Sequence, residues 1–324
     1  MKEIIRIETM ESKNRLRIEY MAGNFCNYAC SYCGPEANGG NVRWPKDFDM
    51  LVKHFRHLLD FYVRNGRDKF EINILGGEPS LWPDIVKFAR IMKLEYNVKI
   101  TMTTNGSRTL RWWEENADAF DKILFSYHHA ETTLDHYINV LDLVYDKGIA
   151  LNALVMMDPN HWDDIITAIK TMKATSRNSW FISTMEVHPP RYTQEQREIF
   201  KKHVKRMPPI FRLIKNEYEN ILKGKTKVIF DDGSKEKVER NYFSVNNLNN
   251  FKGWMCNVGV ENINIKADGK LTGVCDNRLF NENMFYNLYD PNFTEKFNPR
   301  LVPTVCEKNK CWCQPEMLMT KWKL

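Results

Sequence analysis

Three cysteines lie close together near the start of the chain, in the run Cys26-Asn-Tyr-Ala-Cys30-Ser-Tyr-Cys33. Thiolates are soft ligands that suit iron–sulfur clusters and zinc. Three of them can hold three corners of a [4Fe–4S] cluster and leave the fourth iron open to bind another molecule. A zinc ion held by the same cysteines and a distant fourth ligand is the alternative interpretation.

A glycine-rich run, Gly76-Gly77-Glu78-Pro79, offers a second set of groups that could bind a ligand. Glycines allow the backbone to approach a ligand closely, and the Glu78 carboxylate can accept hydrogen bonds from an ammonium group. A simple tight turn is the alternative. Both this run and the three cysteines directly follow predicted strands. We therefore expect them at the same edge of a parallel sheet, where such folds place active sites.

The bulk composition indicates an ordinary globular protein of one large domain and a small one. The chain has 324 residues, of which 43% are hydrophobic and 27% charged. Its N-terminal apolar run is too short and too charged for a signal peptide, and no run approaches the roughly 18 apolar residues that span a bilayer. We therefore expect a cytoplasmic protein without a membrane partner. In that setting its eight cysteines favour metal or catalytic roles over disulfides.

The net charge of +6 is concentrated in residues 196–227, where ten Lys or Arg stand against three acids. The segment is either the solvated face of helices or a patch for an anionic substrate. Aromatic residues do not interleave with the basic ones, so a nucleic-acid partner is not favoured.

Short β-branched runs alternate with amphipathic stretches over the first 206 residues. The predicted strands are Arg15–Tyr20, Lys69–Leu75, Val98–Thr103, Lys122–Tyr127, Ile149–Met156 and Trp180–Val187. The predicted helices are Phe48–Asn65, Trp82–Glu95, Leu110–Ala119, Thr133–Lys147, Trp162–Ser176 and Thr193–Arg206. Six βα units predict an α/β fold with a parallel sheet and helices outside it. Six strands are too few to close an eight-stranded barrel, so we expect an open, TIM-like partial (β/α)6 barrel.

The pattern changes after Gly224, where two hairpins replace the βα units. The first comprises Lys227–Ile229 and the turn Asp232–Gly233, and the second runs from Asn262–Lys266 to Leu271–Val274. We place a domain boundary near residue 225, with residues 1–225 as the barrel and 226–324 as a small α+β domain. The remaining five cysteines all fall in this tail: Cys256, Cys275, Cys306, Cys311 and Cys313.

The spacing Cys-x3-Cys-x2-Cys followed by Gly-Gly-Glu-Pro resembles the radical S-adenosylmethionine (radical SAM) superfamily, over roughly residues 15–190. The resemblance implies a [4Fe–4S] cluster on Cys26, Cys30 and Cys33, whose open iron chelates the methionine amino and carboxylate groups of S-adenosylmethionine. It implies a reducing partner, such as flavodoxin or ferredoxin, that supplies one electron. The cofactor is then cleaved to methionine and a 5′-deoxyadenosyl radical, which abstracts a hydrogen atom from the substrate.

The resemblance also implies roles for residues at the strand ends. Tyr32 matches the aromatic residue near the adenine, and the loop of Gly76, Gly77, Glu78 and Pro79 matches the one that binds the methionine amino group. Weaker matches, which could equally be caps or turns, are Thr104, Asn105 and Ser126. Met156 matches a strand end that can line the adenine pocket, and the alternative is that it completes a buried strand. His128 and His129 follow the fourth predicted strand. They are interpreted either as substrate-contacting or acid–base groups or as hydrogen-bonded loop histidines.

The tail resembles the family's twitch-type domain, a shortened relative of the SPASM domain that holds an auxiliary cluster. Its ligands for a second [4Fe–4S] cluster would be Cys256, Cys275, Cys311 and Cys313. Cys306 would then be a spare catalytic thiol that donates a hydrogen atom to a substrate radical, or a substitute ligand. A structural zinc is the alternative. A fully ligated second cluster would accept an electron and favour a net oxidation.

These features predict a radical enzyme that modifies a C–H bond. Only about 15 residues precede the first predicted strand, which leaves no room for a leader-binding domain, so a small-molecule substrate is favoured. A peptide-modifying maturase or epimerase is the first alternative. A non-enzymatic zinc or iron–sulfur binding module is the second.

Overall fold

The computed structural model describes residues 2–9, 13–174, 181–187, 192–205, 226–238, 243, 246–273, 285–311 and 319–324. The strands within these ranges are β1 (Ile4–Thr9), β2 (Arg15–Met21), β3 (Lys69–Leu75), β4 (Val98–Thr104), β5 (Lys122–Tyr127), β6 (Ala150–Met157), β7 (Phe181–Glu186), β8 (Thr226–Phe230), β9 (Lys235–Val238), β10 (Met255–Cys256), β11 (Asn262–Ile265), β12 (Leu271–Thr272), β13 (Thr304–Val305) and β14 (Lys321–Trp322). The helices are α1 (Pro35–Asn38), α2 (Phe48–Arg64), α3 (Ile85–Glu95), α4 (Leu110–Asn116), α5 (Leu134–Asp146), α6 (Trp162–Ala174), α7 (Gln194–Lys205) and a last short helix, Phe293–Lys296.

The main sheet has the strand order β12-β11-β2-β3-β4-β5-β6-β7. Its strands from β11 to β7 are parallel, and only β12 is antiparallel. Strands β12 and β7 form its two edges, so the described part of the sheet stays open. This arrangement confirms the predicted α/β fold and its TIM-like partial barrel. The seventh parallel strand, β11, comes from the tail and was not predicted.

Successive side chains of a strand point to opposite faces of the sheet, so apolar side chains face the helices and polar ones lie on the inner face. On β2, Leu16, Ile18 and Tyr20 are fully buried, and the Tyr20 ring meets Phe55 of α2 at 5.1 Å in an edge-on contact. Arg17, on the opposite face, keeps part of its side chain exposed. The core therefore lies between the sheet and the helices and fixes where the carboxyl ends of the strands emerge.

Helix α3 begins three residues later than the sequence predicts, at Ile85 instead of Trp82. Pro83 follows Trp82, and a residue before proline is pushed out of the helical region. Trp82 is accordingly extended, with φ −69° and ψ 117°, after a short 3₁₀ turn over Pro79–Leu81. The glycine loop therefore runs into a tight turn before the helix, and this turn holds Ser80 beside Glu78.

A second sheet is antiparallel throughout, in the order β13-β10-β14-β1-β8-β9. The β8–β9 pairing confirms the first predicted hairpin, and β11–β12 confirms the second. Placing the first strand at Arg15 was wrong, because β1 precedes it. β1 is hard to detect from sequence because Ile7 is its one fully buried side chain among charged neighbours.

Each of the two sheets contains strands from both sides of the predicted boundary at residue 225. β1 joins strands of the tail, and β11 of the tail pairs with β2 of the barrel. Side chains of β2 and α2 also bind the tail. Tyr62 donates a hydrogen bond to the Gly259 carbonyl at 2.5 Å, and the hydroxyls of Tyr20 and Tyr289 are 3.0 Å apart. The division into 1–225 and 226–324 stays a prediction. Among the described helices, none has the length and apolar character to cross a bilayer.

Candidate active site

Two loops touch through their backbones at the carboxyl ends of β2 and β3. The Gly77 N–H donates to the Gly23 carbonyl at 3.0 Å, and the Glu78 N–H donates to the Phe25 carbonyl at 2.8 Å. Gly76 has φ +139°, and a Cβ added to Gly76 or Gly77 would overlap the carbonyl oxygen of Gly23 or Phe25. Side chains at these positions would force the loops apart, which explains the paired glycines.

The Glu78 carboxylate ties the loop after β3 to the loop after β4. Its Oε1 accepts hydrogen bonds from the Thr104 hydroxyl at 2.6 Å and from the Ser80 N–H at 2.9 Å, and its Oε2 accepts from the Asn105 N–H at 2.6 Å. Glu78 is fully buried. Burial raises its pKa, and these donors act in the opposite direction. Most of its acceptor capacity is thus used within the protein, and its expected contact with an ammonium group stays a prediction.

Asn105 extends this connection to the cysteine loop. Its Nδ2 lies 3.1 Å from Asn27 Oδ1 and 3.7 Å from the Cys26 sulfur, while its Oδ1 accepts a hydrogen bond from the Ser107 N–H at 2.9 Å. Hydrogen bonds therefore link the loops after β2, β3 and β4 through Glu78, Asn105 and Cys26.

The three predicted cluster ligands occupy one loop. The side chains of Cys26 and Cys30 are partly buried and that of Cys33 is exposed. The Tyr28 N–H donates to the Cys26 sulfur at 3.4 Å. Burial raises the pKa of all three thiols. The pKa of Cys30 reaches about 11 because the charges of Cys33, Glu131 and Cys26 add to the effect of burial. Within the described ranges, no three His, Cys, Asp or Glu side chains are grouped to hold a single metal ion.

His128 packs directly on the cysteine loop. Its Nδ1 lies 2.8 Å from the Tyr32 hydroxyl and 3.3 Å from the Cys30 sulfur. The rings of His128 and Tyr32 are parallel, with centroids 6.0 Å apart, and Tyr28 approaches His128 edge-on at 5.8 Å. Burial lowers the pKa of His128 to about 4, so the ring is neutral near pH 7. The rings of His128, Tyr32 and Tyr28 therefore pack together next to the Cys30 sulfur.

His129 contacts a second histidine, His161, which follows β6. Its Nδ1 lies 3.2 Å from the Tyr127 hydroxyl and its Nε2 lies 3.6 Å from Asp164. The ring of His161 is 5.5 Å from that of His129, and His161 Nδ1 lies 3.0 Å from Asp158. Sequence reasoning missed Asp158 and His161. Their place immediately after β6, at the same edge as the cysteines, was the signal that could have found them.

The weaker sequence candidates lie at the same edge. Thr104 and Asn105 end β4 and begin its loop, as described above. Ser126 is buried next to the last residue of β5, and Met156 holds the same position on β6. All the strand-end candidates are therefore at the carboxyl edge, and their contacts with a cofactor stay predictions.

The described tail cysteines lie around strands β10 and β13. Cys256 pairs with Thr304 across these strands. The Cys306 N–H donates to the Trp254 carbonyl at 2.8 Å, and the Cys311 N–H donates to the Asn249 carbonyl at 2.8 Å. Cys306 and Cys311 pack on the same small apolar cluster. Cys275 and Cys313 lie outside the described residues, so the ligand set of a second cluster stays a prediction.

The chain is thus an open parallel barrel with a cysteine loop and a glycine loop at its carboxyl edge. Active sites of such barrels lie at this edge, and thiolates are the usual ligands of iron–sulfur clusters. The family model of the radical SAM superfamily matches residues 20–203. The chain therefore belongs to the radical SAM superfamily, which implies a [4Fe–4S] cluster and S-adenosylmethionine. The described residues fit such a group. Burial raises the pKa of all three neighbouring thiols, so a cationic cluster would stabilise their thiolate forms. N–H groups of Tyr28 and Asn105 already point at the Cys26 sulfur.

Curated relatives match over part of their length. GTP 3′,8-cyclase of Vibrio cholerae is 25% identical over 195 residues, which cover 55% of each protein. GTP 3′,8-cyclase of Pectobacterium atrosepticum is 28% identical over 193 residues, covering 55% of this chain and 56% of that protein. The chain thus spans about half the length of the curated relatives it matches.

Solved structures show the same fold over more of the chain. Native anSMEcpe with bound AdoMet has a TM-score of 0.53 at 15% identity, over 88% of this chain and 82% of that one. Native anSMEcpe with bound AdoMet and Cp18Cys peptide has a TM-score of 0.52 at 16% identity, over 85% and 78%. At these identities the likeness concerns the fold alone.

Proposed function

We propose that this protein reductively cleaves S-adenosylmethionine and uses the resulting 5′-deoxyadenosyl radical to abstract a hydrogen atom from a small-molecule substrate. The observation that carries the proposal is the chain of hydrogen bonds from Glu78 through Asn105 to Cys26. It gathers the cysteine loop, the glycine loop and the loop after β4 at one edge of the barrel.

Each group has a stated task in this proposal. Cys26, Cys30 and Cys33 hold the cluster and leave one iron for the cofactor, which when bound supplies the radical. Gly76, Gly77, Glu78 and Pro79 form the loop that binds the methionine amino group of the cofactor. On the adenosine side are Tyr32, Ser126 and Met156. The rings of Tyr28, Tyr32 and His128 exclude water from one side of the cysteine loop.

A small-molecule substrate is supported by the name of the matched relatives, which specifies GTP as their substrate. The basic segment 196–227 would suit an anionic substrate, but most of it lies outside the described residues. A peptide-modifying maturase or epimerase is the second candidate. Family membership supports an enzyme over the non-enzymatic zinc or iron–sulfur module.

We further propose a second [4Fe–4S] cluster in the tail, on Cys256, Cys275, Cys311 and Cys313. Cys306 packs against the apolar cluster that contains Cys311 and would serve either as a substitute ligand or as a catalytic thiol. His128 and His129 remain candidate catalytic groups at the barrel edge. A cluster of this kind would take up one electron from the substrate radical that hydrogen abstraction leaves, and the two steps together would be a net oxidation of the substrate. The enzyme would act in the cytoplasm with a flavodoxin- or ferredoxin-like reductant.

The test is anaerobic reconstitution followed by an assay for 5′-deoxyadenosine with dithionite. We expect about eight iron atoms per chain if there are two clusters, and about four if there is only one. Replacing Cys26, Cys30 and Cys33 by Ala should abolish 5′-deoxyadenosine formation, whereas replacing Cys256 and Cys311 should leave some cleavage and about four irons. Zinc without iron, or no 5′-deoxyadenosine under reduction, would contradict the proposed function.

A further inference from the structure

The side chain of Asn105, one of the weaker matches in the family resemblance, contacts the loop that carries the cysteines. Its side-chain amide is buried between the loops after β2 and β4, with 6% of the residue exposed. The Nδ2 group lies 3.7 Å from the Cys26 sulfur, within hydrogen-bonding range for that large atom, and 3.1 Å from Asn27 Oδ1. The amide therefore has one N–H for each of these two acceptors.

The orientation of this amide follows from its other contacts. Asn105 Oδ1 accepts a hydrogen bond from the Ser107 N–H at 2.9 Å. A backbone N–H can only donate, so the oxygen must face Ser107 and the NH₂ group must face Cys26. The amide nitrogen is a donor in every protonation state of its surroundings, which makes it a fixed partner for a thiolate.

Glu78 holds Asn105 in place through the backbone. Its Oε2 accepts the Asn105 N–H at 2.6 Å, and its Oε1 accepts the hydroxyl of the preceding Thr104 at 2.6 Å. Because Glu78 is fully buried, these hydrogen bonds operate in a low-dielectric setting where they are strong. Substitutions of the Asn105 side chain leave the backbone bond to Glu78 intact.

We propose that Asn105 is a positioning residue that donates a hydrogen bond to the Cys26 thiolate and thereby raises the reduction potential of the cluster, with Glu78 fixing its position. Hydrogen bonds to the sulfurs of an iron–sulfur cluster stabilise the more negative, reduced state. The inference rests on the proposed function, since it takes Cys26 as a cluster ligand. It assigns the buried Glu78 side chain a role in electron uptake through Asn105.

The test is a redox titration of the reconstituted holoenzyme without S-adenosylmethionine, followed by electron paramagnetic resonance. The cluster of interest is identified as the one whose signal changes when S-adenosylmethionine is added. In Asn105→Ala we expect the equilibrium constant for one-electron reduction to fall about tenfold, which is a shift of about 59 mV to lower potential. Iron content should match that of the unmodified enzyme.

Two further variants keep the test decisive. Asn105→Asp preserves the size of the side chain but places a carboxylate oxygen at the thiolate, so its potential should fall at least as far, which covers the case in which Asn105→Ala does not fold. Asn27→Ala removes the second acceptor of the same amide and leaves the Cys26 contact, so its potential should not fall.

The possible failures are distinguishable. An unchanged potential in both Asn105 variants, with full iron content and normal 5′-deoxyadenosine formation, overturns this inference and leaves the proposed function standing. An equal fall in Asn27→Ala would also overturn it, because the effect would then belong to the loop as a whole. Absence of an iron–sulfur cluster from the unmodified protein would instead overturn the proposed function.

Discussion

Gly77 lies at a point where the site leaves no room for a side chain. A Cβ there would overlap the Phe25 carbonyl, immediately before the first cysteine. We expect Gly77→Ala to push the glycine and cysteine loops apart, to cost about 1–3 kcal/mol of stability, and to reduce 5′-deoxyadenosine formation on the order of 100-fold through misplacement of the cofactor. Thermal unfolding and the dithionite assay measure the two effects.

Gly34 supplies the matched control at the same loop. It follows Cys33 directly, nothing lies within 4 Å of its added Cβ, and its φ of −72° suits any residue. Gly34→Ala should have a melting temperature and a rate of 5′-deoxyadenosine formation close to those of the unmodified enzyme. Equal losses in the two variants would mean that the loop tolerates no side chain at all, and that the overlap with Phe25 is not the cause.

At the scale of the element, helix α2 packs against the main sheet, where the ring of Phe55 meets that of Tyr20 on β2. Its apolar face is buried, and its start is capped by Asp47, whose carboxylate accepts a hydrogen bond from the Met50 N–H at 2.9 Å. Replacing Asp47 by Ala leaves that N–H without its cap and should lower the free energy of unfolding by about 1 kcal/mol. Urea denaturation monitored by circular dichroism measures the change.

The exposed residue Lys53 of the same helix provides the comparison. Lys53→Ala introduces a good helix former at a solvent-facing position and should alter stability by less than about 0.5 kcal/mol. If Asp47→Ala proves no more destabilising than Lys53→Ala, the cap contributes nothing measurable to the fold.

At the scale of the whole molecule, the barrel and the tail are joined by buried polar contacts. His54 of α2 is almost fully buried, and its Nδ1–H donates to the Leu288 carbonyl of the tail at 2.7 Å. His54→Leu removes this donor and leaves the carbonyl without it. We expect a loss of about 1–3 kcal/mol in the free energy of unfolding and faster proteolysis of the tail.

His57, one turn further along α2, tests whether the cost of losing such a hydrogen bond depends on how deeply the bond is buried. Its Nε2 lies 3.3 Å from the Phe297 carbonyl in a more exposed setting. His57→Leu should therefore cost less than His54→Leu, because water can satisfy the carbonyl that it leaves. The reverse order of stabilities would show that the tail is held by other contacts.

Sequence alone determined the local features of this protein. Periodicity placed the six βα units, since apolar spacing reports which face of an element is buried. Residue type and spacing identified the cysteine and glycine loops, since their neighbours in the chain are their neighbours in space. The start of α3 was misplaced because the effect of Pro83 on Trp82 competes with a continuous apolar pattern.

Only the tertiary structure decided how distant segments meet. The pairing of β11 with β2 and of β1 with β8 joins residues more than 200 positions apart, and short strands carry too little pattern to specify such partners. The same holds for Glu78, whose type suggested a ligand for an ammonium group. Its burial among Thr104, Asn105 and Ser80 arises because three parallel strands end at one edge, and that geometry brings the Asn105 amide to the sulfur of Cys26.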